Sequence, residues 1–331
     1  AGWGGSVATN TTGANMPAGH VAALVASPAT HVALESDEAW LPEVMTRVRP
    51  RVVVLLNLSR DQLDRASEVR QMAERWRHCL ESTVARDVVV VANANDPLVV
   101  YAVGISPHVR WCDVPTYWLG DAASCPRCTE PLVFDASGWR CRCGFARPAD
   151  ITTSLGDTLN VGGVEVALNL AVPGSFNRSN AAMAVTALAE VGVAPSDSVS
   201  RIASLSDVAG RFARRRWRGR DVRVVLAKNP AGVAALLADD VPPGEVWVAI
   251  NDRVADGHDP SWLYDAPFER LRGRRVVCLG ERRLDLATRL DYAGVDARVV
   301  DDPTTLAGGE PAWLIANYTA FAEWLARSEP A

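Results

Sequence analysis

The sequence predicts an α/β protein of two lobes, each a sheet of buried strands with helices on its faces. Three observations predict it. First, apolar, largely β-branched runs stop abruptly in polar loops at residues 52–56, 87–92, 222–226 and 246–250. The run at 52–56, which no polar residue interrupts, suits a parallel strand covered on both faces. Second, helical spacing follows these loops, as in Val69, Met72 and Trp76. Third, 331 residues exceed what one hydrophobic core usually holds. A domain boundary is expected near Gly210, dividing residues 1–209 from 210–331.

The bulk properties narrow the class. With 48% hydrophobic residues the chain is expected to fold. A net charge of −5 gives no reason to expect nucleic acid as the main partner. No apolar run approaches the roughly 20 residues that span a bilayer. Of seven cysteines, four cluster between 125 and 143 while Cys79, Cys112 and Cys278 are scattered. That pattern reads as a cytoplasmic protein with one metal site.

Along the chain, residues 1–20 are rich in Gly, Asn and Thr and read as a loop whose backbone N–H groups can face an anion. They contain no GxxxxGK[ST] phosphate loop. A helix is expected at 21–26 and a short strand at 31–34, ending in Glu35-Ser36-Asp37-Glu38. Acids there suit either Mg²⁺ or the first turn of the next helix. The strand at 52–56 ends in Asn57, followed by Arg60, Asp61, Gln62, Asp64 and Arg65. Polar groups at a strand's carboxyl end mark the ligand side of an open α/β sheet. They also suit a solvated loop with Ser59 or Asp61 capping the helix. The strand at 87–92 likewise ends in a polar loop, residues 93–97.

CPRC at 125–128 and CRC at 141–143 are separated by twelve residues with Ser137-Gly138 as a hairpin turn. Four thiolates close a tetrahedral site, so Cys125, Cys128, Cys141 and Cys143 are expected to hold structural Zn²⁺ in a ribbon at about 122–147. Alternation over 151–172 predicts antiparallel strands, and residues 175–180 lead into an Ala-rich helix with Asn177 and Asn180 near its start. The arginine-rich stretch 200–220 suits a solvated face or a phosphate. Beyond it, strands are expected at 222–226, 246–250, 276–280 and 297–300, and a last strand and helix within 311–327, a Rossmann-like lobe. Its densest polar stretch, 251–262, holds Asp252, Asp256, His258 and Asp259 just past a buried strand.

Several of these stretches together resemble one family. NLSRDQLDR (57–65), ATNTTGANMPAG (8–19), ALESDEA (33–39), the inserted four-cysteine ribbon, KNPAG (228–232), NDRVADGHDPSWLYD (251–265), DYAGV (291–295) and NYTAF (317–321) are similar to segments of the MurT family, the Mur-ligase-like subunits of lipid II isoglutaminyl synthase. The resemblance implies a Mur-ligase-like central P-loop-type α/β domain carrying the zinc ribbon, followed by a Rossmann-like C-terminal domain. It implies ATP-dependent amidation of the α-carboxylate of D-isoglutamate in the lipid II stem peptide, through an acyl phosphate and glutamine-derived ammonia. A separate GatD-type glutaminase would supply the ammonia, and the complex would act at the cytoplasmic membrane face.

The resemblance further implies roles for named residues. Glu35, Asn57, Gln62, Asn177, Asn180 and Arg211 would serve nucleotide and Mg²⁺; Gln62 stands where ordinary Mur ligases carry a His. Asp259, with Asp256 and Asp252 as alternatives, would complete the partner's Cys–His pair, a role set by geometry and not by chain. The family's phosphate loop would precede residue 1, so the chain is expected to be N-terminally truncated. A stand-alone amide ligase of the Mur or folylpolyglutamate type, and a non-catalytic scaffold, are the alternatives.

Overall fold

The computed structural model describes residues 6–10, 14–25, 29–60, 69–82, 85–205, 211–239 and 244–331. They form two compact units. The first takes the described residues up to Ser59 and from Val69 to Leu205; the second takes Arg60 and those from Arg211 onward.

In the first unit, β1 (Val7–Thr9) pairs in parallel with β2 (His31–Ala33), and α1 (Pro17–Val25) connects them. The stretch expected to be one loop thus already holds a strand and a helix start. Pro17 is the first residue of α1, where its missing N–H costs nothing. After α2 (Leu41–Val48) come β3 (Val52–Leu55), α3 (Val69–Leu80), β4 (Val89–Asn93), α4 (Pro97–Val103) and β5 (Val109–Asp113). A small antiparallel hairpin follows, β6 (Val133–Asp135) and β7 (Gly138–Arg140). Its turn is centred one residue earlier than expected, on Ala136-Ser137, and Gly138 follows it with φ 115°. Then come β8 (Ile151–Leu155), β9 (Leu159–Val161), β10 (Val164–Val166), α5 (Ser175–Ala189) and α6 (Pro195–Ile202).

The six-stranded sheet has the order β10-β9-β8-β5-β4-β3, parallel from β3 to β8 and antiparallel through β9 and β10. Its alternation places successive side chains of β4 in different cores. Val90 and Ala92 pack with Met72, Trp76, Val99 and Val103 of α3 and α4. Val91 packs with Ala182, Met183 and Val185 of α5. The expectation that residues 52–56 are covered on both faces is corrected: Val54 and Leu56 are 37% and 39% exposed. β3 is the terminal strand of the described sheet, and only Val52 of its second face packs against the α5 cluster.

The second unit runs β11 (Phe212–Trp217), β12 (Arg220–Leu226), α7 (Pro230–Leu236), β13 (Glu245–Ala249), β14 (Val276–Leu279), α8 (Arg283–Tyr292), β15 (Ala297–Val299), β16 (Ala312–Ala316), α9 (Tyr318–Arg327) and β17 (Glu329–Pro330). The sheet order is β15-β14-β13-β16-β12-β11-β17. β12 to β15 and β16 are parallel, while β11 lies antiparallel to β12 and β17. The strand–helix alternation of a Rossmann-like lobe is broken between β13 and β14, where two 3₁₀ turns lie, Pro260–Tyr264 and Phe268–Leu271. Pro260 opens the first turn, where its missing N–H costs nothing, and Pro267, just past it, keeps the turn from continuing as a longer helix. Trp324 of α9 packs at a tilt against Trp217 and Trp247, with centroids 4.9 and 5.5 Å apart.

The arginine-rich stretch is not one uniform face. Arg215 bonds to Leu325 O and Ser328 Oγ, and Arg220, 6% exposed, pairs with Glu245 at 3.0 Å.

Candidate functional site

In the first unit, chemistry-bearing residues gather where the strands end. Asn10, only 8% exposed, holds the backbone of Glu35 from both sides. Its Oδ1 accepts from Glu35 N at 2.9 Å, and its Nδ2 donates to Glu35 O at 2.7 Å. His20 Nε2 reaches the same carbonyl at 3.0 Å, which fixes it as the donor nitrogen. Glu35 itself is exposed. Asn57 is exposed just past β3. Gln62, with Asp61, Asp64 and Arg65, lies outside the described residues.

A buried carboxylate joins the ends of β3 and β4. Asp96 is 4% exposed and caps α4, accepting from Leu98 N at 2.9 Å and Val99 N at 3.1 Å through Oδ1. Its Oδ2 accepts from Leu58 N at 2.8 Å. Burial pushes its pKa up to about 6, against the pull of the three N–H donors. Asn177 lies in the first turn of α5, where its Nδ2 donates to Pro173 O at 2.6 Å. Asn180 is exposed one turn on, inside the helix and not ahead of it. In the second unit, Arg211 is exposed immediately before β11.

The four ribbon sulfurs come together. Cys125, Cys128, Cys141 and Cys143 offer Sγ atoms all within 4.8 Å of one another. Cys125–Cys143 and Cys128–Cys141 lie at 3.7 and 3.4 Å. Zn–S bonds of about 2.3 Å in a tetrahedron put sulfurs about 3.8 Å apart, so the donor set and its spacing fit zinc. Arg127 N–H points at Cys125 Sγ at 3.4 Å, and the Phe145 N–H holds the Cys143 thiol down at about 7.

In the second unit, the loop after β13 is locked at its base. Asn251 and Asn317, 4% and 2% exposed, bond reciprocally: Asn317 Nδ2 donates to Asn251 O at 2.7 Å, and Asn251 N donates to Asn317 Oδ1 at 3.0 Å. Asn251 Oδ1 also accepts from Glu281 N at 3.1 Å. Asp256 is buried and accepts from Thr319 N at 2.8 Å and from Thr319 Oγ1. Its carboxylate is thus spent on α9. Asp252 is half-buried, with Arg282 at 3.5 Å, and its carbonyl accepts from His258 Nδ1 at 2.6 Å. Asp259 is exposed, and Ser261 N donates to its Oδ1 at 2.8 Å. That backbone bond holds its pKa below the ordinary carboxylate range.

Asn10, His20, Asp96, Asn251, Asn317 and Thr319 were not singled out by the sequence. The cap of Asp96 on Leu98 and Val99 follows an ordinary N-cap spacing, but its bond to Leu58, like the bonds of the others to Glu35, Asn251, Asn317 and Asp256, joins residues far apart in the chain, which no spacing rule reports.

Among solved structures, the chain resembles a pseudomurein peptide ligase type C from Methanothermus fervidus, with a TM-score of 0.73 at 17% identity, covering 98% of this chain and 72% of that one. It also resembles MurF from Acinetobacter baumannii, with a TM-score of 0.63 at 13% identity, covering 97% and 70%. The fold is therefore that of the Mur-type ligases.

A profile described as MurT ligase C-terminal matches residues 226–321. The lipid II isoglutaminyl synthase (glutamine-hydrolyzing) subunit MurT of Staphylococcus aureus is 30% identical over 321 residues, covering 88% of this chain and 72% of its own length. The chain belongs to the MurT family.

Proposed function

We propose that this chain is the synthetase subunit of a lipid II isoglutaminyl synthase. It amidates the α-carboxylate of D-isoglutamate in the lipid II stem peptide, giving D-isoglutamine. The substrate carboxylate attacks the γ-phosphorus of ATP, ADP leaves, and ammonia then displaces phosphate from the acyl carbon. Phosphoryl transfer is mostly positioning and charge neutralisation. Bound Mg²⁺ would neutralise phosphate charge. In this reading Glu35 holds that cation, and Asn57, Gln62, Asn177 and Asn180 line the nucleotide. Cys125, Cys128, Cys141 and Cys143 hold structural zinc, which closes the ribbon and leaves no open coordination position.

Ammonia comes from a GatD-type glutaminase subunit that docks on the second unit. Asp259 orients the catalytic histidine of that partner, as the acid of a Ser-His-Asp triad does from any chain position. The single observation that carries this reading is the contrast between three aspartates of one loop. Asp256 is buried and bound to Thr319, Asp252 is half-buried, and Asp259 is exposed with a depressed pKa. No described helix is long and apolar enough to cross a membrane. In this reading the lipid-linked substrate is met at the cytoplasmic face.

Reconstitution with the glutaminase and lipid II tests the reading. Asp259→Asn keeps an acceptor for Ser261 N and so keeps the turn. It should abolish glutamine-driven amidation while ammonia-driven amidation stays within about twofold. Equal loss of both, or loss of neither, refutes the assignment.

A further inference from the structure

The zinc ribbon is wired to the strand ends of the first unit by contacts that a merely self-contained stabilising module would not need. Trp139 of β7, 3% exposed, donates its indole N–H to Ala94 O at 3.1 Å. Arg147, just beyond the second pair of cysteines, donates from Nε to Asn95 Oδ1 at 2.6 Å and pairs with Asp113 at 2.8 Å. Asn95 Nδ2 in turn donates to Asp113 Oδ1 at 2.8 Å and to Val114 O at 2.9 Å. On the other side of the ribbon, Arg70 of α3 donates to Pro126 O at 2.9 Å.

The apolar contacts run the same way. Cys125, Leu132, Trp139, Cys141 and Phe145 share one buried cluster with Leu58, Leu98 and Val99. Trp139 and Phe145 pack with centroids 4.8 Å apart. The next residue after Asn95 is Asp96, whose Oδ2 accepts from Leu58 N, beside Asn57. A continuous path therefore leads from the four sulfurs through Trp139 and Arg147 to residues 94–96, and through Asp96 to the end of β3.

We propose that metal loading of the ribbon positions the polar loops at the carboxyl ends of β3 and β4, with Trp139, Arg147 and Asp96 as the positioning residues. Zinc then acts on the nucleotide side of the ligase without touching a substrate. The step to nucleotide rests on the reading above that Asn57 lines it; the coupling itself does not.

Hydrogen exchange read by mass spectrometry tests the coupling in the zinc-loaded chain, the chelator-stripped chain, and zinc-loaded Trp139→Phe. The phenyl ring keeps most of the packing and loses the N–H to Ala94. Stripping should speed exchange in peptides containing Leu58, Leu98 and Val99 by about fivefold or more, the weight of one lost hydrogen bond. Trp139→Phe should speed the same amides with zinc content unchanged. Acceleration confined to residues 122–147 in both samples overturns the proposal. Titration with ATP judges the nucleotide reading separately. If the zinc-loaded chain binds ATP and the stripped chain binds it at least about tenfold more weakly, the coupling reaches the ligand. Equal affinity of the two overturns that reach. No binding by either removes the nucleotide reading and leaves the coupling to the exchange result.

Discussion

Asn10 does for Glu35 what a neighbouring strand would do, answering both its N–H and its C=O with one side-chain amide. Asn10→Ala leaves Glu35 N–H without its acceptor, which costs about 1–3 kcal/mol, while His20 Nε2 still donates to Glu35 O. It should lower the melting temperature and weaken Mg²⁺-dependent nucleotide binding together, measured by thermal unfolding and calorimetry. Unchanged binding in a destabilised variant would detach Glu35 from the cation. Asp96 makes a pH-dependent prediction. Its folded pKa of about 6 lies above the ordinary 3.8, so the folded state holds this proton more tightly than the unfolded chain does. The Asp96 contribution to stability therefore falls as pH rises from about 4 to 6. The total change is of order 3 kcal/mol, for a shift of about two pKa units. Urea unfolding of the chain and of Asp96→Asn at pH 4.5 and 7 should show the parent losing stability relative to the variant at the higher pH. A gain would contradict the sign.

At the scale of elements, the loop after β13 is tied down at several points. The Asn251–Asn317 pair ties it to the turn after β16, Asp256 ties it to α9, and Arg253 spans Glu281 and Glu323 at 3.0 and 2.6 Å. The exposed Arg253 pairs are worth little; the buried amide pair is where the energy lies. Asn317→Ala should cost about 1–3 kcal/mol in denaturant unfolding and reduce glutamine-driven amidation more than ammonia-driven amidation. Equal reduction would mean that the loop presents nothing to a partner.

The elements differ in how far they were legible. Buried strands such as 89–93 and 246–249 were readable because hydrophobic runs report burial directly. The four-cysteine cluster was readable because ligand spacing is a local property. The exposed face of β3 was not, because strand order is set by partners far along the chain. The 3₁₀ turns after Asp259 carried a sign in Pro260 and Pro267 that the expectation of regular βα alternation overrode.

For the molecule as a whole, Mur-type ligase architecture and MurT family membership make carboxylate activation the chemistry to test. Borrowing ammonia from a second polypeptide is what would set this chain apart from a ligase that takes an amino acid. Removing zinc should lower the activity of the complete complex with either nitrogen source, because the ribbon acts on the first unit, whereas Asp259→Asn should spare the ammonia-driven reaction. Amidation assays on chelator-treated complex, with zinc restored as a control, check this; loss confined to the glutamine-driven reaction would place the ribbon's influence elsewhere. The most direct test of carboxylate activation follows oxygen. Lipid II carrying ¹⁸O in the α-carboxylate of its D-isoglutamate should deliver one ¹⁸O into inorganic phosphate for each amide formed. Amide formation with all ¹⁸O absent from phosphate would contradict the account.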